Sequence, residues 1–136
     1  MPPVVRTVVA VVVGTVVAFV LVGVIEAIGE VVYPPPAGVD FGRPDQLGSY
    51  MQRLPGGALA FVLAAWILAT FLGGLVAAWI ARSRTALVTA IVGALVLAAT
   101  IANFVLIPHP AWMVAAGVVG IAIAAYLAGR LMRVAT

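Results

Sequence analysis

VVRTVVAVVVGTVVAFVLVGVIEAIGEVVY, residues 4–33, is an apolar run whose only charges are Arg6 near its start and Glu26 and Glu30 near its end. A bilayer core requires about 20 consecutive apolar residues per helical span, and this run exceeds that length. Three further apolar runs follow at 56–81, 87–107 and 111–129. Together they predict an all-α membrane protein. The expected architecture is a compact antiparallel four-helix transmembrane bundle, one domain over residues 1–136, with a single long loop at 34–55.

Composition agrees with that class. Hydrophobic residues make up 65% of the chain and charged residues 8%, and lysine is absent. A soluble domain carries about 45–50% apolar and about 25% charged residues, so this chain has too little polar surface to coat a globule in water. Its first partner is therefore the lipid bilayer. The formal charge of +3 comes from arginines at the ends of the runs. No basic stripe interleaved with aromatics accompanies them, which excludes a nucleic-acid partner. The absence of cysteine removes disulfides, thiolate metal sites and cysteine nucleophiles from consideration. The first run is far longer than the apolar segment of a signal peptide, so it is read as a retained span.

The arginines predict an orientation. In an antiparallel arrangement Arg6, Arg82, Arg84, Arg130 and Arg133 fall at one end, and Arg43 and Arg53 fall at the other beside Asp40 and Asp45. Cytoplasmic loops are enriched in Lys and Arg. Both termini are thus expected in the cytoplasm, with the chain in a bacterial inner membrane and the 34–55 loop outside. Within that loop, Pro34-Pro35-Pro36 is stiff and extended. After Pro44, Leu47, Tyr50, Met51 and Leu54 recur at helical spacing, predicting a short amphipathic helix over 44–54 that lies on the membrane surface or covers the bundle. Gly48 counts against a helix there. The other connections, 82–85 and 108–110, are short enough to force antiparallel neighbours.

Helices in lipid associate largely through close contact of small residues. Such rows recur at every fourth position: Ala10, Gly14 and Ala18; Ala69, Gly73, Ala77 and Ala81, beside Thr70, Gly74 and Ala78; Ala86, Ala90, Ala94, Ala98 and Ala102; and Ala116, Gly120, Ala124 and Ala128. They predict either internal packing or docking to a second copy or another membrane protein. Thr70, Thr89 and Thr100 are expected to return their hydroxyls to the preceding turn. Trp66, Trp79 and Trp112 read as belt or packing residues.

The polar residues point to a site. Glu26 and Glu30 lie four residues apart, on one helix face, and carboxylates in a span are costly unless paired, protonated or hydrated. At 1.5 Å per residue, Glu30 falls roughly 6 Å and Glu26 roughly 12 Å below Pro34, while Asn103 falls roughly 7 Å below Pro108. With His109, Tyr33 and Trp112 at the same end, these residues are expected to line a ligand site near the outer mouth of the bundle. Paired carboxylates there can carry a proton, hold a cation or grip an amine. Glu26, Glu30 and His109 are the only set with metal-ligand chemistry, although no metal-binding spacing accompanies them. The competing expectation is an interfacial acid pair neutralised by Arg43 or Arg53.

The pattern Glu26, Tyr33-Pro34-Pro35, Leu54-Pro55, Gly73-Gly74, Asn103 and Pro108-His109-Pro110-x-Trp112 resembles a group of small uncharacterised bacterial four-span membrane proteins. The resemblance runs over nearly the whole chain; it implies the fold and no activity. A glutamate in the first of four short spans is also similar to the small multidrug resistance exporters. The long loop, the second glutamate and the proline-bounded third span depart from them, and their mechanism does not carry over. No nucleophile–base set, phosphate loop or dinucleotide fingerprint is visible. The expectation is accordingly a protein without catalytic residues or cofactor that binds or transports a cation, a proton or a small polar ligand. The alternative is a structural or accessory subunit that packs through its small-residue faces.

Overall fold

A computed structural model of the chain describes residues 1–40 and 42–135, the side chain of Ala135 excepted. Those residues form five helices: α1 (Pro3–Val32), α2 (Pro44–Arg53), α3 (Gly56–Ala81), α4 (Thr85–Leu106) and α5 (Ala111–Ala135). All but α2 are long and apolar enough to cross a membrane. The chain is a multi-pass, all-α membrane protein. Valine-rich α1 would favour a strand in water, but in lipid every backbone N–H and C=O must be satisfied within the segment, and a helix does that alone.

Prolines set the helix boundaries. All nine lie either outside the helices or at a first helical position, as Pro3 and Pro44 do, where the missing N–H would have had no partner. Pro108 ends α4 at Leu106 through the restriction it places on its predecessor. α2 adds Asp45 in its first turn and Arg53 in its last, each complementing the helix dipole. The α3–α4 turn is unusual: Arg82 (φ 61°) and Arg84 (φ 53°) both adopt the left-handed conformation around Ser83. α5 continues beyond Gly129 to Ala135, so it carries Arg130 and Arg133 on its last turns.

α3 is the hub. It packs against α1, α4 and α5, while α1 touches α4 more sparsely and has little contact with α5. The α1–α3 crossing is tight because glycines meet there. A methyl on Gly14 would come within 2.6 Å of the Ala77 Cβ and 2.7 Å of the Gly73 carbonyl, and one on Gly73 within 2.6 Å of the Gly14 carbonyl. At the far end of this pair, Arg6 Nε donates to the Ile80 carbonyl at 2.7 Å, satisfying a free acceptor at the C-terminus of α3. The other side of α3 receives Val88, Val92 and Val96 of α4 and Met113 and Ile121 of α5, all buried. Thr70 and Thr100 return their hydroxyls to the carbonyls of Trp66 and Val96 at 2.7 and 2.8 Å, and Thr89 bonds that of Ala86.

The small-residue rows differ in what they meet. The small-residue rows of α1 and α3 are buried, but every member of the α4 row, Ala86, Ala90, Ala94, Ala98 and Ala102, is exposed on the outside of the bundle. The face α4 turns inward is the bulkier one. Because α3 already presents alanine and glycine, valines are needed opposite them to fill the space at interior density.

α2 lies across the end of the bundle where α1 and α4 finish. Its apolar face is turned to the protein: Gly48 and Met51 are buried, and Leu47, Tyr50 and Leu54 half-buried. Gly48 is the contact point, since a methyl there would approach Pro108 Cδ to 3.0 Å. The glycine that counts against a helix by propensity thus lets the helix dock on the α4–α5 turn. Upstream, Gln46 Oε1 accepts the Asp40 N–H at 2.8 Å, and Asp40 Oδ1 accepts that of Gly42 at 2.9 Å. These bonds fasten the loop to α2.

Candidate functional site

Beneath α2 is a cavity of about 250 Å³. Glu26 and Glu30 reach it from the last turns of α1, Asn103 from the last turn of α4, and His109 from the Pro108–Pro110 turn. Tyr33, just past the end of α1, also lines it. Five of the six ligand-binding residues predicted from sequence therefore share one space. The sixth, Trp112, does not line it and is 50% exposed at the start of α5. One residue further on, Met113 is the side chain that α5 buries. Residues adjacent on a helix point in different directions, and Trp112 falls on the outer face.

Each polar group is positioned by a local cause. His109 Nδ1 contacts the Ile107 carbonyl at 2.7 Å; a carbonyl can only accept, so Nδ1 carries the proton and Nε2 is left for other partners. The imidazole is held between Phe104, edge-on at 5.0 Å between ring centroids, and Trp66 at 6.0 Å. Tyr33 packs edge-on to Phe61 at 6.1 Å, with its hydroxyl against Gly57, where any side chain would collide with it. Glu26 is half-buried, with Glu30 one turn further along α1 and with Trp66 beside it in the adjoining groove.

Neither glutamate is ion-paired with a loop arginine among the described residues. Among the described residues Arg43 pairs with Asp45 at 3.7 Å, and Arg53 Nε donates to the Ser49 carbonyl at 3.2 Å. The pairing with Arg43 or Arg53 that the interfacial alternative offered is not formed among the described residues. Among the described residues no three His, Asp or Glu side chains are close enough together to hold an ion, although Glu26, Glu30 and His109 line the same cavity.

Two aromatics that line the cavity, Phe61 and Tyr50, were not expected there from the sequence. Trp66, read as belt or packing, is a packing residue, 4% exposed and edge-on against Phe104 at 5.4 Å. It continues backwards the buried row Thr70, Gly74, Ala78. Tyr50, on the inner face of α2, lies near Glu30. Burial, and secondarily the Glu30 charge, hold its phenol above the ordinary value of 10.0.

A second space adjoins the first. A groove of about 450 Å³ between α1 and α4 is lined by Glu26 and Asn103, which also line the cavity under α2, and has Trp66 and Val96 at its buried base. Its rim is apolar and open, with Phe19 on α1 and Ala99, Ala102 and Leu106 on α4 all exposed. Comparison with family models, curated proteins and solved structures finds no match to this chain.

Proposed function

We propose that this protein binds a small cation or polar ligand beneath α2 and transports it across a bacterial inner membrane. The observation that carries this reading is the convergence of Glu26, Glu30, Asn103 and His109 on one cavity, with no arginine ion-paired to either carboxylate among the described residues. A carboxylate inside a bundle is costly, and such residues mark ion, proton and substrate paths. Glu26 supplies charge at the deepest point, Asn103 and His109 Nε2 orient the ligand, and α2 covers it. The arginine distribution supports an orientation with both termini in the cytoplasm and α2 outside.

The test uses tetramethylammonium, a cation compact enough for the cavity. Wild-type protein in neutral-lipid nanodiscs is expected to bind it, and proteoliposomes to take it up. Glu26→Gln should weaken binding at least tenfold while keeping the thermal stability of the wild type. Equal binding by the two proteins would remove Glu26 from the site; no binding by either would sink the cation reading.

The exposed alanine row of α4 favours a second reading, a subunit that docks a second copy or a membrane partner through that face. Gly73 is unsuited to testing it, because that residue is consumed by the internal α1–α3 crossing. Ala94→Leu is the appropriate change. Co-purification of a partner or a second copy lost in Ala94→Leu would support docking, and a monomer without partner in the wild type would refute it.

A further inference from the structure

We propose that a phospholipid with an anionic headgroup binds in the groove between α4 and α5, in the leaflet away from α2. This site is separate from the cavity beneath α2 and stands whether or not that cavity takes a cation. It competes with the docking reading for the α4 alanine row. The groove encloses about 380 Å³. Its floor is shallow because the two helices approach closely. A methyl on Gly93 would come within 2.6 Å of the Ala125 Cβ, and one on Gly129 within 3.3 Å of the Ala86 Cα. The α4 wall is Ala86, Ala90 and Ala94, all exposed. Alanines there leave open a trough that leucines would fill. The lining also changes along its length, from Leu97 and Ile121 at one end to Tyr126, Arg130 and Arg133 at the other.

Length and charge together identify the occupant. Nine residues separate Ile121 from Arg130, roughly 14 Å at helical rise, and one leaflet of hydrocarbon is roughly 15 Å deep. The apolar part of the groove therefore has the depth of an acyl chain hanging from a headgroup. At headgroup level Arg130 and Arg133 lie three residues apart and are neighbours on α5. Arg130 Nη1 donates to the Tyr126 hydroxyl at 3.1 Å, which occupies one of the guanidinium's five donors and steers its fork. The start of α4 is fixed beside them, where the Thr85 hydroxyl donates to the Gly129 carbonyl at 3.2 Å. Guanidinium forks match the oxygens of a phosphate. Among the described residues no aspartate or glutamate lines the groove to receive the ammonium of a zwitterionic lipid. The four in the chain, Glu26, Glu30, Asp40 and Asp45, all belong to the α2 end. The head that fits is thus a phosphate with net negative charge. Any basic residue at a membrane surface draws anionic lipid. What distinguishes Arg130 and Arg133 from Arg82 and Arg84 is the apolar bed leading away from them, which the latter pair does not line.

The experiment titrates the full chain in a non-ionic detergent with phosphatidylglycerol, phosphatidylcholine and glycerol 3-phosphate, and reads bound adducts by native mass spectrometry. The wild type is expected to be a monomer that holds one phosphatidylglycerol at least tenfold more tightly than phosphatidylcholine, and not to hold glycerol 3-phosphate. Arg130→Gln with Arg133→Gln should abolish the preference; Arg130→Gln alone serves if the double variant does not fold. Ala90→Leu fills the groove from an exposed position and should weaken phosphatidylglycerol at least fivefold, with Ala94→Leu as its substitute. Arg82→Gln with Arg84→Gln, at the same end but outside the groove, should leave that binding within twofold. Equal binding of the two lipids would overturn the proposal. A loss in the Arg82 and Arg84 variant matching that of Arg130 and Arg133 would do the same, by reducing the attraction to diffuse surface charge. Full binding in both groove-filling variants, or glycerol 3-phosphate bound as tightly as the lipid, would deny the chain its bed and overturn it too. A lipid-free dimer that Ala90→Leu separates would put a second copy in the groove instead.

Discussion

Tyr50 shows how the cavity can be interrogated one residue at a time. Its phenol is held above 10.0, first by burial and then by Glu30. A group whose folded value is raised supports the folded arrangement fully below its unfolded value, and that support is lost as pH rises through the folded one. Seating of Tyr50 should therefore be intact at neutral pH and fail only above pH 10.0. A phenolate absorbance that vanishes in Tyr50→Phe should develop in that alkaline range, and Glu30→Gln should move it to lower pH. An unshifted titration in Glu30→Gln would separate the two residues. At this scale the polar members of the site were legible because polar residues are scarce in an apolar chain; Glu26, Glu30, Asn103 and His109 stand out against alanine and valine. Phe61 and Tyr50 were not, since an aromatic in a membrane protein has an ordinary packing reading and only the folded arrangement distinguishes the two.

Between elements, glycine decides what can approach. Gly14 faces backbone and a short methyl across the α1–α3 crossing, neither of which can move aside. Gly14→Val should cost about 1–3 kcal/mol of stability, the range for overpacking a close contact, read as a fall in thermal unfolding temperature in detergent. Gly48 instead faces the ring of Pro108 at the surface. Gly48→Val should leave the unfolding temperature near that of the wild type and weaken tetramethylammonium binding by lifting α2. A loss of stability in Gly48→Val equal to that in Gly14→Val would mean that α2 is part of the core. The helices themselves were readable from apolar length and proline placement. Their facing was only partly so, because a repeat of four shows that a row lies on one face without saying what that face meets. In α1 and α3 the row turns inward. In α4 the same spacing turns outward, since α3 needs valine rather than alanine opposite it.

For the whole molecule, the lack of cysteine makes orientation directly measurable. Ser49→Cys, on α2, should react with a membrane-impermeant maleimide added to intact cells, whereas Ser83→Cys, in the arginine-flanked turn, should react only after permeabilisation. The reverse pattern would place α2 in the cytoplasm and turn the site inward. The left-handed pair Arg82 and Arg84 has a mechanical consequence of its own. They close the α3–α4 connection with Ser83 alone between them, and Pro108 to Pro110 closes α4 onto α5 almost as tightly. Three of the four spans are thus hinged on links with no slack. α1 instead joins α3 through 33–55, a stretch that includes α2. Its place is therefore set by its long contact with α3, closest at the Gly14–Gly73 crossing, and not by its connection.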